Sequence, residues 1–280
     1  MLILTANGSA IDMATQGKGE FDSLLDSPGT LIIGRYGRLA RALRHFFPAA
    51  IAIGRVGIDI TDDASVKRMV QEVRPSIVIN CAAITDLPLC ERDPAATRRV
   101  NVEGVSHLAA ASREVGALLV HISSDYAAHP VNEYGRSKRD SESFGDLTIR
   151  AKLYDGSHSA WEALRCGRRI QMTTCEFSNP ISTTGLATLL PRLLEKGFHG
   201  VVSLGSKDPL SFFEVGLIWA DVLGVSRQLV QPCGSVASPY PRPANTFMPV
   251  EALAAAGILV PSLASDACDH CAYFADYASV

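Results

Sequence analysis

The sequence predicts a doubly wound α/β fold built on a parallel sheet, and three observations carry the prediction. From residue 30 onward, short apolar β-branched runs (TLIIG, IAIG, SIVINCAA, ALLVHISS) alternate with amphipathic stretches (RLARALRHFF, ASVKRMVQEVR, NVEGVSHLAAASREVG). That alternation is the pattern of buried parallel strands covered by helices. Boundary residues agree with it: Asp62 and Asp63 precede the helix expected from Ala64, Pro75 follows its end, and Gly116 closes the helix before ALLVHIS. Finally, a glycine turn, Gly34-Arg35-Tyr36-Gly37, sits between the first of these strands and its helix.

With 280 residues, 47% hydrophobic, the chain can bury one large core or a core plus a small lobe. The expected division is an N-terminal extension or edge element over 1–28, a Rossmann dinucleotide-binding domain over 29–150, and the remaining sheet elements with a smaller substrate-binding lobe over 151–280. In the second half, helix signals lie at 185–195 and 211–224 and a strand signal at 201–206. Pro and Gly then thicken between Gln231 and Pro249, which predicts a loop-rich cap. A net charge of -3 gives no electrostatic reason to expect nucleic acid or an anionic membrane as partner. A small-molecule substrate is the expectation. No apolar run approaches the roughly 20 residues of a membrane span, and the first residues lack a secretory pattern, so a cytoplasmic location is expected. The seven cysteines are odd in number and scattered, and read as reduced thiols.

The turn Gly34-Arg35-Tyr36-Gly37-Arg38-Leu39-Ala40 has the spacing of a phosphate loop that opens into a helix. Glycine allows a tight turn and close approach of backbone to pyrophosphate, the helix N-terminus presents open N–H groups, and a small residue lets helix and strand pack closely. About 20 residues further on, NAD sites place a carboxylate on the adenosine ribose. Here the second strand ends at Gly54 followed by Arg55. Arg55, with Arg35 or Arg38, is suited to a 2′-phosphate, which predicts NADPH (NADP+) over NADH.

The strand ALLVHIS runs into Ser123-Ser124-Asp125-Tyr126, and ten residues after Ser124 comes Tyr134-Gly135-Arg136-Ser137-Lys138. Tyr and Lys four apart share one helix face, so the ammonium is expected to stabilise a phenolate and lower the Tyr134 pKa toward working pH. In carbonyl reduction Tyr134 would protonate the oxygen, Lys138 would also bind the nicotinamide ribose, and Ser124 would hydrogen-bond the carbonyl.

Through GRYGRLARAL, IDITDDASV, RPSIVINCAAITDLPLCERDP, VNVEGVSHLAAASREVGALLVHISSDY, EYGRSKRDSE and RPANTFMPVEALAAAGI, the chain resembles the extended short-chain dehydrogenase/reductases, in particular the dTDP-4-dehydrorhamnose reductase group. The resemblance covers most of residues 30–258. It implies that Asp59 and Ile60 lie beside the adenine, that Cys81, Ala82 and Ala83 line the ribose and nicotinamide side, and that Asn101 and Ser123 belong with the cofactor site. It also implies substrate contacts at Thr85, Ser124, Asn179 and Arg242, the last of these pairing with a nucleotide diphosphate. The substrate class it implies is a nucleotide sugar with a 4-keto group, and a homodimer is compatible with it.

Two departures bear on the substrate. Only AAHPVNE joins the Ser-Ser-Asp-Tyr strand end to the catalytic tyrosine, a much shorter loop than the family's, and Ala151-Lys152-Leu153-Tyr154 stands where an Arg-Thr-Ser-Trp-like pattern is usual. The pocket is therefore smaller, differently shaped or no longer catalytic. An epimerase or dehydratase on the same scaffold, or a non-catalytic NADP(H)-binding regulatory subunit, stays open. Cys268-Asp269-His270-Cys271 has metal-like spacing but no second ligand pair, and no metal is expected. His121 reads as a hydrogen-bonded core histidine, and His129, in the short loop, as a minor candidate for substrate contact.

Overall fold

The computed structural model describes residues 2–4, 10–12, 24–156, 158–234 and 238–277. The chain divides into two compact units, Met1–Arg150 with Ala187–Val202, and Ala151–Leu186 with Ser203–Val280. Each is described by itself.

The first unit holds a six-stranded sheet: β1 (Thr30–Ile33), β2 (Ile51–Ile53), β3 (Ile77–Asn80), β4 (Leu118–Ile122), β5 (Leu147–Ala151) and β6 (Gly200–Leu204). Its spatial order is β6-β5-β4-β3-β1-β2. β1 pairs in parallel with both β2 and β3, and β3–β4 and β4–β5 are parallel too. Because the chain leaves β1 for β2 on one side and returns to β3 on the other, the order reverses at β1. Such a switch point opens a crevice beyond the carboxyl ends of the strands, where ligands bind in open α/β sheets. Leu31, Val78, Leu119, Val66, Val70, Val105 and Leu108 form the core between this sheet and its helices.

The helices are α1 (Arg38–Phe46), α2 (Asp63–Val73), α3 (Leu87–Arg92), α4 (Pro94–Arg98), α5 (Gly104–Val115) and α6 (Glu133–Ser141). The expected caps are present: Asp62 accepts the Ala64 N–H at 3.0 Å, and Gly116 ends α5 at φ 74°. A π turn over Arg99–Glu103, which helical periodicity does not announce, leads into α5. Residues 2–4 and 10–12 pair antiparallel with each other and stand apart from the six-stranded sheet rather than extending its edge.

Among the described residues of the second unit there are three short ladders: Val230–Cys233 parallel to Ile170–Thr173, Ile181–Ser182 parallel to Leu153–Tyr154, and Phe177–Ser178 antiparallel to Leu210–Ser211. Its core is aromatic, with Tyr154 and Trp161 ringing Trp219 at centroid distances of 5.2 and 5.5 Å. The helix Phe212–Val222 starts from a reciprocal Ser211/Glu214 capping box. Cys268-Asp269-His270-Cys271 falls within the helix Leu263–Tyr277, where His270 turns into the core and bonds Thr184 Oγ1 at 2.9 Å while Cys268 stays exposed. Among the described residues no helix is long and apolar enough to cross a membrane.

Candidate active site

The glycine turn lies at the switch point. Gly34 adopts φ +94°, and a Cβ there would come within 2.9 Å of the Ala82 backbone nitrogen, so both its conformation and its clearance require glycine. The N–H groups of Gly34 and Arg35 both donate to Ile53 O, and Gly37 N–H closes the turn on Gly34 O at 2.8 Å. α1 then begins with Gly37 as a cap that offers no side-chain acceptor, which leaves first-turn N–H groups for an anion. Beside the turn lies a cleft of about 330 Å³. Of the residues expected to bind a dinucleotide, Gly34, Tyr36, Gly37, Arg55, Asp59 and Ile60 line it, as do Cys81, Ala82 and Ala83 from the end of β3. Ile58, Thr61, Ile84 and Val100 line it as well and were not anticipated.

The chemistry of these walls fits a dinucleotide: glycine backbone and a helix start for pyrophosphate, apolar Ile58 and Ile60 for a base, and Arg55 for an added phosphate. Asp59 accepts from both the hydroxyl and the N–H of Thr61, and those bonds, helped by nearby Arg55, hold its carboxyl below the usual range. Arg35 is tied to β2 through Ala52 O at 3.1 Å, and Arg38 is exposed at the helix start. Leu39 buries its side chain in the core, because the amphipathic period of α1 points that position at the sheet, so only its backbone is placed to serve the loop. For Gly34→Ala the expected result is dinucleotide binding weakened by at least about tenfold, from strain of roughly 1–2 kcal/mol at positive φ plus the contact with Ala82. A fluorescence titration with NADPH measures it, and unchanged affinity would remove the loop from the binding site.

Ser124 follows the end of β4, and Tyr134 and Lys138 lie four residues apart on α6. Asn132 caps α6 by accepting the Gly135 N–H at 2.8 Å. The short loop before it is pinned by Arg139, which donates to Ala127 O and Ala128 O at 2.6 and 2.8 Å. The loop passes so near the helix that a Cβ on Gly135 would sit 2.8 Å from Tyr126 O. Ser124 Oγ donates to Asp125 Oδ1 at 2.8 Å and also hydrogen-bonds the Tyr134 phenol.

The electrostatics correct one expectation. Burial pushes the Tyr134 phenol up, with Asp125 adding to the rise and Ser124 opposing it. Lys138 is itself pushed down to about 8 by burial, and its Nζ donates to Ile122 O at 2.6 Å. A backbone carbonyl thus captures the ammonium that helical spacing alone would aim at the phenol. Tyr134 is consequently protonated across neutral pH.

Several other expected positions have structural duties. Ser123 donates to Glu142 Oε1 at 2.8 Å, and Glu142 is clamped by Arg150 through bonds of 2.7 and 2.6 Å, so the Ser123 hydroxyl belongs to the scaffold rather than to a cofactor. Asn101, fully buried on the π turn, accepts Ile84 N–H and donates to Ile84 O and Ser137 Oγ, while Ser137 donates to Tyr134 O. It therefore links the cleft wall to the helix bearing Tyr134 with no side-chain atom left for the cofactor. Asn179 is likewise corrected: wholly buried in the second unit, its amide bonds Ser206 O, Met248 O and Met248 N–H, which makes it an internal brace rather than a substrate contact. Thr85 and Arg242 are exposed, as is His129.

By sequence and by fold, the chain resembles oxidoreductases named as dTDP-4-dehydrorhamnose reductases. A family model described as the RmlD substrate binding domain matches residues 29–152. A dTDP-4-dehydrorhamnose reductase of Streptomyces griseus is 40% identical over 126 residues, which span 44% of this chain and 41% of that protein. A dTDP-4-keto-6-deoxy-D-glucose reductase of Streptomyces niveus is 29% identical over 264 residues, 81% of this chain and 91% of that one. The crystal structure of a dTDP-4-dehydrorhamnose reductase from Bacillus anthracis in complex with NADP superposes with a TM-score of 0.78 at 25% identity, covering 85% of this chain and 96% of the other. The chain accordingly resembles the dTDP-4-dehydrorhamnose reductase family of sugar-nucleotide reductases.

Proposed function

We propose that this protein reduces the 4-keto group of a nucleotide-activated deoxysugar at the expense of NADPH, with Tyr134 as proton donor. The observation that carries the reading is the Tyr134 phenol held against the Ser124 hydroxyl, with Lys138 buried close to Cys81 on the wall of the dinucleotide cleft. The names of the Streptomyces niveus relative and of the NADP-bound Bacillus anthracis structure support the substrate class and the cofactor.

When bound, the reduced nicotinamide supplies hydride to the carbonyl carbon. Ser124, freed from Asp125, donates to the carbonyl oxygen and orients it. Tyr134, kept protonated by its surroundings, delivers its proton to that oxygen as negative charge builds there. The Lys138 ammonium, with Ile122 O as one acceptor, would use its remaining donors on the ribose hydroxyls and offset the phenolate charge from there. In this reading residues 29–150 hold the dinucleotide, residues 151–280 contribute the substrate lobe, and Thr85 and Arg242 are the remaining candidate substrate contacts, Arg242 for the diphosphate.

The test is loss of reduced-nicotinamide absorbance when purified protein is given NADPH and a dTDP- or UDP-linked 4-keto-6-deoxysugar. Turnover supports the proposal. No oxidation with either sugar, together with a tightly co-purifying oxidised dinucleotide, would replace it with an epimerase or dehydratase. Cofactor choice has its own measurement. Charge-assisted bonds of about 1.5–3 kcal/mol to a 2′-phosphate imply that Arg55→Asp weakens NADPH binding by roughly 10–100-fold and leaves NADH nearly unaffected. An unchanged NADPH/NADH affinity ratio would assign the 2′-phosphate elsewhere.

A further inference from the structure

His121 is the penultimate residue of β4, a strand otherwise built from Leu118, Leu119, Val120 and Ile122, and it has no solvent exposure. A buried imidazole in an apolar strand is costly unless both ring nitrogens are bonded. Both are, and they reach in different directions. Nδ1 lies 3.3 Å from Asn80 Nδ2, and Nε2 lies 3.0 Å from Ser141 Oγ.

The neighbours assign every proton in this chain. Asn80 Oδ1 accepts the Ala82 N–H at 3.0 Å, so the Asn80 amide nitrogen faces the ring and donates to Nδ1. Ser141 Oγ donates to Lys138 O at 2.9 Å, so it accepts from Nε2–H. His121 is therefore the neutral Nε2–H tautomer, and all four bonds run the same way: Ala82 to Asn80, Asn80 to His121, His121 to Ser141, Ser141 to Lys138. A second ring proton would face the Asn80 amide donor. Accordingly, burial with Lys138 nearby holds the imidazole pKa well below its ordinary value. Bonds aligned head to tail in a low-dielectric interior reinforce one another.

The two ends of this relay are functional surfaces. Ala82 lines the dinucleotide cleft, and its nitrogen is the atom a Cβ on Gly34 would strike, so it lies directly under the phosphate loop. Lys138 carries the ammonium of the catalytic trio. The next residue along the strand, Ile122, supplies the carbonyl that holds Lys138 Nζ.

We infer that His121 is a positioning residue for the reduction: its neutral imidazole couples the floor of the dinucleotide cleft at Asn80–Ala82 to the helix bearing Tyr134 and Lys138, through Ser141. This rests on the reductase reading above. Ring volume alone does not explain it, since Leu or Phe would fill the strand without two polar partners on two different elements.

His121→Phe, His121→Gln, Ser141→Ala and the double variant His121→Phe/Ser141→Ala test the inference by turnover and by NADPH titration, all below the melting temperature of each variant. Displacements of about 1 Å in a catalytic group cost up to ~10²-fold, so His121→Phe is expected to lower kcat by about tenfold or more with KM for the keto sugar little changed. His121→Gln, which can offer an acceptor and a donor, is expected to recover most of that loss, and the double variant to fall no further than His121→Phe alone. Ser141 lies outside the cleft lining, yet Ser141→Ala is expected to weaken NADPH binding by about threefold or more, measured without turnover. A His121→Phe protein that loses thermal stability while kcat stays within about twofold would overturn the inference, as would additive losses in the double variant. If His121→Phe does not fold, Ser141→Ala decides: unchanged NADPH affinity overturns the coupling. Failure of the wild-type protein to reduce any keto sugar defeats the reductase reading instead, and the NADPH titration of Ser141→Ala still decides whether the relay reaches the cleft.

Discussion

Tyr134→Phe is expected to lower kcat by about 10²–10⁴-fold, the range in which a positioned acid contributes to a proton-transfer step, while NADPH affinity stays within a few-fold. The variant removes one hydroxyl and keeps the ring, which packs edge-on against Tyr126 with centroids 5.8 Å apart, so the helix has no reason to move. If turnover survives within about tenfold, the proton comes from another group and the proposed mechanism fails. Lys138 supplies a companion test in pH. Burial sets its ammonium at about 8, so the charge that compensates the phenolate is present below that value and is lost as pH rises through it. The phenol is pushed upward by burial and keeps its proton over the same range. The rate is therefore expected to decline above about pH 8. Lys138→Arg, always charged, should carry whatever activity it retains past that limb. A wild-type profile that stays flat well above pH 8 would separate Lys138 from the rate-limiting charge.

The sheet was readable because its strands are local: a run of three to five largely apolar residues, a turn and an amphipathic helix mark most of these units without reference to the rest of the chain. The same locality marked the glycine loop, Ser124, Tyr134 and Lys138 as candidates. What sequence could not show is where a side chain finds its partner. Tyr134 and Lys138 share a helix face, but the partner of Lys138 is Ile122 O, on a strand 16 residues earlier. Ser123 looked like a cofactor contact until Glu142 and Arg150 claimed its hydroxyl. Asn101 depends on a π turn that no composition announces. His121 did carry a signal, a titratable residue in an apolar strand, although the relay it completes joins residues 41 positions apart on one side and 20 on the other. In the second unit the ladders are two to four residues long and the decisive contacts are remote, so periodicity had little to act on.

Asp266 gives the largest expected effect on stability. Only 2% exposed, it accepts from the Tyr154 hydroxyl, the Ser182 N–H and the Ser182 hydroxyl, each at 2.7 Å. One carboxylate thereby joins the strand Leu153–Tyr154, the strand Ile181–Ser182 and the helix Leu263–Tyr277. Asp266→Ala leaves those donors buried without their acceptor and is expected to cost about 3–5 kcal/mol, or a fall in Tm of roughly 6–20 °C for a protein of this size. Tyr154→Phe removes one bond of the three and should cost about 1–2 kcal/mol. The pH signature has two opposing parts. Burial raises the Asp266 carboxyl above its unfolded value, so its proton favours the native state at low pH and that benefit is lost as pH rises through the folded pKa. His270, in the same core, runs the other way. Burial lowers it to about 4, so as pH falls below 6.5 the unfolded chain takes up a proton that the native state refuses. That difference destabilises the fold by about 3 kcal/mol by the time pH reaches 4, and His121 acts in the same direction. Thermal unfolding between pH 4 and pH 7 should therefore show a shallower acid loss in His270→Gln than in wild type. Asp266→Ala should be most damaging relative to wild type at the acid end, where the protonated carboxyl no longer bears the cost of a buried charge. An Asp266→Ala protein that melts within about 2 °C of wild type at every pH would show that the three donors find other acceptors and that the aromatic packing of Tyr154, Trp161 and Trp219 holds this core without the carboxylate.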